Sequence, residues 1–349
     1  MNEFLYLYPL SIRHRQKAYM EIDFVVTWVD MNDPKWKKDF ATYSGKIDNK
    51  KNEVSEARFR DHGLLKYWFR GVEKFAPWVR KIHFVTCGQH PEWLNLNHPK
   101  LQLVNHEDYI PKEFLPVFNS SLIEIYLHKI PNIADHFVYF NDDFFIINHI
   151  TEERFFKNGL PNDIAAFRMN FGLSLWSKCL KNNIRLINKH FDKKEVLERD
   201  HDKWYDESYG SRGRLTKQLS FYNKFVTLRT PHNAQPYLKS TFEEVWEKEG
   251  QELTAMSTHR FRSPNDYTQE LFRTWQICKS NFNSYNTYQN TKMFPLLFKA
   301  EKAIKAIKEQ SYSLVCINDN EHMRNYEQTM ARVEQAFASI LPEKSSFEI

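Results

Sequence analysis

The sequence predicts an α/β fold: a Rossmann-like, mixed or mostly parallel sheet flanked by helices, with an additional, mostly helical region. Runs of β-branched and aromatic residues at 22–29, 81–86 and 136–140 are almost continuously apolar, as strands buried on both faces of a parallel sheet are. Segments with helical spacing of apolar residues separate them. Asp30, Gly88 and Asp142 stand where the three runs stop, at the carboxyl ends where ligands gather in such sheets.

In chain order, Ile22-Asp23-Phe24-Val25-Val26-Thr27-Trp28-Val29 reads as the first buried strand, stopped by the turn chemistry of Asp30-Met31-Asn32-Asp33-Pro34. A polar, lysine-rich stretch at 35–58 precedes a helix at 64–75. Strands follow at 81–86 and 101–104, a helix at 120–130 and a fourth strand at 137–140. From 151 onward mixed polar and aromatic segments take over. The charge-dense stretch 193–214 reads as an exposed, mobile loop or insertion. Helical spacing returns from 235 to 280, and a last apolar strand is expected at 313–317.

Composition narrows the function. Hydrophobic residues make up 42% and charged ones 27%, the balance of a globular protein with a substantial core. A net charge of +5 suits phosphorylated or acidic partners and is too weak for nucleic acid. The cysteines, at 87, 179, 278 and 316, form no C-x-x-C pair, which excludes a zinc or disulfide framework and fits reduced thiols in the cytoplasm. The apolar stretch 4–10 is short and broken by Pro9, so it is expected to be neither a signal nor a membrane span. The basic cluster 13–17 reads as a solvated face.

The strand His136-Phe137-Val138-Tyr139-Phe140 runs straight into Asn141-Asp142-Asp143 and returns at once to Phe144-Phe145-Ile146. Two adjacent carboxylates at a buried strand end raise each other's pKa and are costly to desolvate; a divalent cation removes both penalties. Hard oxygen ligands favour Mg or Mn. Asp30 and Asp33 stand just past the first strand, where they could meet a nucleotide or metal; the competing reading has Asp33 capping the next helix. His232, between Pro231 and Pro236, has a restrained backbone that suits a general base toward an acceptor hydroxyl. Arg260 and Arg262 offer two guanidinium groups on one face of an extended segment, suited to phosphate oxygens or to surface ion pairs. Asn318-Asp319 repeats the strand-to-Asn-Asp design and either shares the metal or caps a helix starting near Glu321.

The order and spelling of these segments resemble the Stealth family of bacterial capsule and exopolysaccharide phosphotransferases, which includes the animal lysosomal-enzyme GlcNAc-1-phosphotransferase. Four blocks carry the resemblance. The first runs from Ile22 to Asp30 with Asp33-Pro34. The second runs from Arg58 through Glu73-Lys74-Phe75-Ala76-Pro77-Trp78-Val79-Arg80 and Pro91-Glu92-Trp93-Leu94 to Asn141-Asp142-Asp143. The third runs from Pro231-His232 to Arg262-Ser263-Pro264-Asn265-Asp266, and the fourth is Cys316-Ile317-Asn318-Asp319-Asn320.

The resemblance implies a glycosyltransferase-A-like fold and the transfer of a hexose-1-phosphate from a UDP-sugar to a hydroxyl of a growing polysaccharide, with release of UMP. It implies Asp142, Asp143, Asn318 and Asp319 around a divalent metal. His232, Arg262 and Asp143 would be catalytic, and Trp28, Asp30, Asp33, Arg58, Asp61, Arg260 and Asp266 would bind substrate. The partners implied are a nucleotide-diphosphate sugar donor and an oligosaccharide or lipid-linked acceptor, the latter compatible with peripheral contact at the inner membrane face. The corresponding plan is an N-terminal extension (1–21), a nucleotide-sugar and metal-binding core (22–150), an insertion or acceptor-side region (151–225), a second catalytic half (226–325) and a C-terminal helix or tail (326–349). From the residues alone, a metal-dependent glycosyltransferase using the same donor and a non-catalytic glycan-binding module stand as alternatives.

Overall fold

The protein is described by a computed structural model covering residues 20–45, 59–319 and 322–349. Arg58, Asn320 and the segments 4–10 and 13–17 lie outside the described residues. The strands are β1 (Ile22–Thr27), β2 (Ile82–Thr86), β3 (Leu101–Asn105), β4 (His136–Phe140), β5 (Phe144–Ile146), β6 (Phe156–Lys157), β7 (Leu160–Asp163), β8 (Gln235–Leu238), β9 (Asn283–Ser284), β10 (Thr291–Pro295) and β11 (Leu314–Asn318). The helices of the first half are α1 (Pro34–Ser44), α2 (Leu65–Phe75), α3 (Ser120–Ile125) and α4 (Leu175–His190). Next come α5 (Lys193–Arg199), α6 (His201–Trp204) and α7 (Ser211–Leu219). The last four are α8 (Lys239–Met256), α9 (Glu270–Cys278), α10 (Leu296–Lys308) and α11 (Tyr326–Ile340).

The main sheet has the order β3-β2-β1-β4-β8. Its first four strands are parallel, with β1, β2 and β4 almost continuously buried as strands covered on both faces are, and β8 closes the edge antiparallel to β4. Alternate residues of β1 serve two cores. Phe24 and Val26 join α2, β5, β11, α10 and α11 on one face, while Val25 meets Val85, Tyr139, α3, α8 and α9 on the other. A second sheet, β10-β11-β5, grows from the end of β4 because β5 follows it after a turn of only Asn141, Asp142 and Asp143.

Two segments differ from the sequence-based expectation. The stretch 193–214 is not a loop: it folds into α5, α6 and the start of α7, with Trp204 and Tyr209 fully buried. Lys193 is itself buried and donates from Nζ to the carbonyls of Leu219 and Tyr222. Apart from Lys193 and Asp200, the charges that suggested a loop are exposed or half-buried, while Trp204 and Tyr209 fill the inner side of this helical layer. The start of 235–280 is a strand, not a helix. Pro236 is tolerated there because β8 is an edge strand and needs no N–H on its outer side.

Helix α2 lies so close to β5 that an alanine Cβ at Gly71 would run into the Ile146 carbonyl oxygen, a backbone atom unable to swing away. We expect Gly71→Ala to cost about 1–3 kcal/mol and to lower Tm by several degrees. An unchanged melting temperature would show that α2 is free to shift off the sheet.

Candidate active site

The strand order places the topological switch point between β1 and β4, where the chain leaves for opposite halves of the sheet. Thr27 and Trp28 emerge there from β1, and Asn141-Asp142-Asp143 from β4. Strand β11 pairs antiparallel with β5 in the register Cys316↔Phe144, which carries Asn318 and Asp319 past the same turn. The Ile317 N–H donates to the Asp143 carbonyl at 2.8 Å, fixing that approach. These ends line a cavity of about 610 Å³, together with Ser120, Glu124, Tyr139, His232 and Arg262.

The carboxylates crowd one another. Burial raises the pKa of Asp142, and Asp143, Asp61 and Asp319 raise it further, to about 8. Asp143 Oδ2 accepts from the Cys316 thiol at 3.1 Å and faces His232 Nε2 at 3.7 Å. Asp143 Oδ1 is buried with no hydrogen-bond partner among the described residues. Asp319 does not cap a helix, since α11 begins after Asn325; its oxygens face Arg60 Nη1 at 3.4 Å and His62 Nε2 at 4.0 Å. Burial and Asp143 nevertheless hold its carboxyl above the ordinary range, against the pull of His62 and Arg60.

Burial alone would lower the pKa of His232, but its interaction with Asp143 outweighs this and holds the imidazole above its ordinary value. The ring meets Phe144 edge-on at 4.9 Å, and the neighbouring Asn233 Nδ2 donates to the Thr287 carbonyl. The thiol of Cys316 is pushed well above its ordinary pKa by burial and by Asp143, so it stays protonated. Donor atoms of Asp143, His232 and Cys316 lie within 4.8 Å of one another, a geometry able to surround a small cation.

Arg262 enters the cavity from the other side, where Nη2 donates to Ser120 Oγ at 2.6 Å. Beside it stands Glu124, a residue that sequence reasoning missed. In α3, Ser120-Ser121-Leu122-Ile123-Glu124-Ile125 looks like any amphipathic turn, and no local signal sets the acid apart. Its Oε1 accepts from the Tyr139 hydroxyl at 3.3 Å, and that hydroxyl also meets Thr27 Oγ1. Burial pushes the Glu124 carboxyl up to about 7, despite the opposing charge of Arg262 and the hydrogen bonds from Tyr139 and Ser120.

A carboxyl raised in this way keeps its proton in the native state over a range where the unfolded chain has lost it. Stability through Glu124 is therefore full below its ordinary value of 4.5 and declines as pH rises toward about 7. We expect Glu124→Gln to flatten that part of the Tm-against-pH curve. A variant curve parallel to the wild type would mean that Glu124 is ionised throughout.

Several expected substrate-binding residues are not among those that line the cavity. Arg260 does not share a face with Arg262: it lies over the Tyr43 ring and donates to the carbonyls of Glu113 and Leu115. Phe261 between them stacks on Phe118 and anchors the segment as an irregular loop, which separates the two guanidinium groups. Asp266 is fully buried, and its oxygens accept from Asn119 Nδ2, the Ser263 N–H and His259 Nδ1, so it shapes the turn that follows Arg262. Asp33 caps α1 through the Trp36 N–H. Asp30 accepts from the Asn32 N–H and is bracketed by Gln89, while Asp61 accepts from the Gly63 N–H. Trp28 does line the cavity, next to Trp36, Phe59, Arg60 and His62.

Comparison with known proteins bears on this geometry. Residues 58–163 match Stealth protein conserved region 2, and residues 231–268 match Stealth protein conserved region 3. The chain is 39% identical over 327 residues to capsular polysaccharide phosphotransferase WcwK of Streptococcus pneumoniae, covering 94% of this chain and 98% of that one. It is also 39% identical to receptor polysaccharide phosphotransferase WefC of Streptococcus gordonii, over 94% of this chain and 99% of the other. Exopolysaccharide phosphotransferase cps2G of Lactiplantibacillus plantarum is 36% identical, over 94% and 96%. Among solved structures, mouse xyloside xylosyltransferase 1 aligns with a TM-score of 0.34 and 9% identity, covering 86% of this chain and 97% of that one, a likeness too loose to bear on the chemistry.

Proposed function

The chain belongs to the Stealth family, and on that premise we propose that it is a polysaccharide phosphotransferase. It transfers a hexose-1-phosphate from a UDP-sugar to a hydroxyl of a growing capsular or exopolysaccharide glycan, forming a phosphodiester and releasing UMP. The observation that carries this reading is convergence: Asp142 and Asp143, His232, Arg262, and Asn318 with Asp319 come from separate parts of the chain to line one cavity. The near-full-length identity to polysaccharide phosphotransferases supports the same reaction class.

The residues divide the work of attack at phosphorus. His232 takes the proton of the acceptor hydroxyl as its oxygen bonds to the sugar-bearing phosphorus; Asp143 steadies the imidazolium that results. The bond to the UMP oxygen breaks, and Arg262 meets the charge spread over the phosphoryl oxygens. Trp28 and the aromatic wall of Trp36, Phe59 and Phe118, all of which line the cavity, receive the nucleotide. Arg260, Asp33 and Asp266 act on this picture as positioning residues.

A divalent metal, Mg or Mn, fits the residues present. Asp143 Oδ1 is a buried acceptor with no partner among the described residues, and burial and the neighbouring carboxylates hold Asp142 at about 8, a crowding that a cation would relieve. Thiol sulfur is a poor ligand for so hard an ion, and the oxygens of Asp142, Asp143, Asn318 and Asp319 would hold it. Bound there, it would supply Lewis-acid neutralisation of the diphosphate.

No helix among the described residues is long and apolar enough to cross a membrane. We place the reaction in the cytoplasm, with a lipid-linked acceptor drawing the protein to the inner membrane face. The reaction is tested by incubating the protein with Mg or Mn, a panel of UDP-sugars and an acceptor oligosaccharide. UMP and a phosphorus-containing product are expected; release of UDP would identify a glycosyltransferase and overturn the assignment.

A further inference from the structure

Between Asp163 and Asp192 the sequence contains no acidic residue, yet it carries Arg168, Lys178, Lys181, Arg185 and Lys189. Arg185 and Lys189 are paired with Glu252 and Glu249 of α8. Arg168, Lys178 and Lys181 are exposed and make no ion pair among the described residues. On the same stretch Phe171 is 79% exposed, Leu173 83% and Trp176 40%. Large apolar side chains at such exposure, grouped within six residues and ringed by cations, are uncommon on a surface meant only for water.

This loop is built to hold its shape. Arg168 ties it to the Thr227 carbonyl through its backbone N–H, and Asn170 bridges its two arms, donating from Nδ2 to the Ser177 carbonyl and accepting from the Gly172 N–H. Ser174 caps α4 through the Ser177 N–H, and Lys181 Nζ reaches back to the Gly172 carbonyl. The loop also has a fixed relation to the active site. In α4, the Cys179 thiol meets the Ser263 carbonyl, and Asn182 Nδ2 donates to the carbonyls of Pro264 and Asp266, in the turn directly after Arg262.

We propose that residues 168–181 dock on an anionic lipid bilayer. Phe171, Leu173 and Trp176 enter the boundary between headgroups and acyl chains, and Arg168, Lys178 and Lys181 face the lipid phosphates. Charge selects this occupant. A second copy of a mixed-charge protein or a neutral glycan has no need of an exposed stretch without acids, whereas a negatively charged bilayer repels every carboxylate. The proposal rests on no assumption about the phosphotransfer reaction, although it would bring the Arg262 side of the cavity to a lipid-linked acceptor.

The test is co-sedimentation of the full chain with vesicles of phosphatidylcholine, with and without phosphatidylglycerol. We expect binding to the anionic vesicles that weakens as salt rises. The double variant Phe171→Ser/Leu173→Ser should bind them about tenfold or more weakly while keeping the wild-type Tm and its activity on a soluble acceptor. Lys178→Gln/Lys181→Gln should lose part of the binding and much of its salt dependence. Absent wild-type binding, or binding that the apolar double variant leaves intact, would overturn the proposal. So would a change of oligomeric state in that variant without any change in vesicle binding, which would make the loop a contact between copies of the chain. Because vesicle binding does not measure phosphotransfer, its failure leaves the UMP experiment standing, and the reverse.

Discussion

Asp143→Asn is expected to lower turnover by ~10³-fold while leaving the protein at least as stable as wild type. The turnover loss follows from the position of this carboxylate. One oxygen faces both His232 and the Cys316 thiol, and the other is buried without a partner among the described residues, so the same group serves the proposed base and the proposed metal. The stability gain follows from the crowding. Asp143 is the strongest of the neighbouring charges that, with burial, hold Asp142 at about 8, and an amide in its place removes that repulsion without leaving a cavity. The paired measurement is a melting curve with a steady-state assay under saturating Mg or Mn. Activity within tenfold of wild type would remove Asp143 from the machinery, and a large fall in Tm would make its role structural.

The second large effect is expected at Arg262. Replacing it with alanine should reduce kcat/KM for the donor by ~10³-fold or more, because a guanidinium beside a transferring phosphoryl group acts where charge develops. Arg262→Lys should recover only part of this, since an ammonium cannot hold Ser120 Oγ and two phosphate oxygens in one plane. A second consequence separates the role from mere packing. Arg262 is the leading influence that holds the Glu124 carboxyl down, so its removal should move that group above about 7, visible in a carbonyl-labelled infrared or NMR titration. An Arg262→Ala enzyme with normal donor kinetics and an unmoved Glu124 would refute both points.

Strands and their ends were legible in the sequence because their information is local. The almost continuously apolar runs at 22–27 and 136–140 read as two-sided strands, and Asn-Asp-Asp at the end of one of them is conspicuous without any neighbour. His232 stood out through its prolines, and Asp319 through the strand before it. The residues that were missed or misassigned depend on distant partners. Glu124 is special only because Tyr139 and Arg262 arrive beside it. Arg260 looked equivalent to Arg262 until Phe261 stacked on Phe118 and one guanidinium came to lie over Tyr43. Asp266 carries as much charge as any ligand, yet Asn119 and His259, far from it or close in sequence, consume its oxygens first. His62 and Arg60 gained their place through Asp319, which lies at the opposite end of the chain.

The antiparallel seating of β11 on β5 sets a timetable for the molecule. Asp142 and Asp143 leave the ribosome long before Asp319, and until Leu314, Val315 and Cys316 find Ile146, Phe145 and Phe144, the cavity lacks one wall and Asp143 lacks its thiol donor. A nascent chain therefore carries a finished main sheet and an unfinished catalyst. Competence arrives with one of the last strands to be synthesised, so that the chain withholds its chemistry until its own assembly is nearly complete.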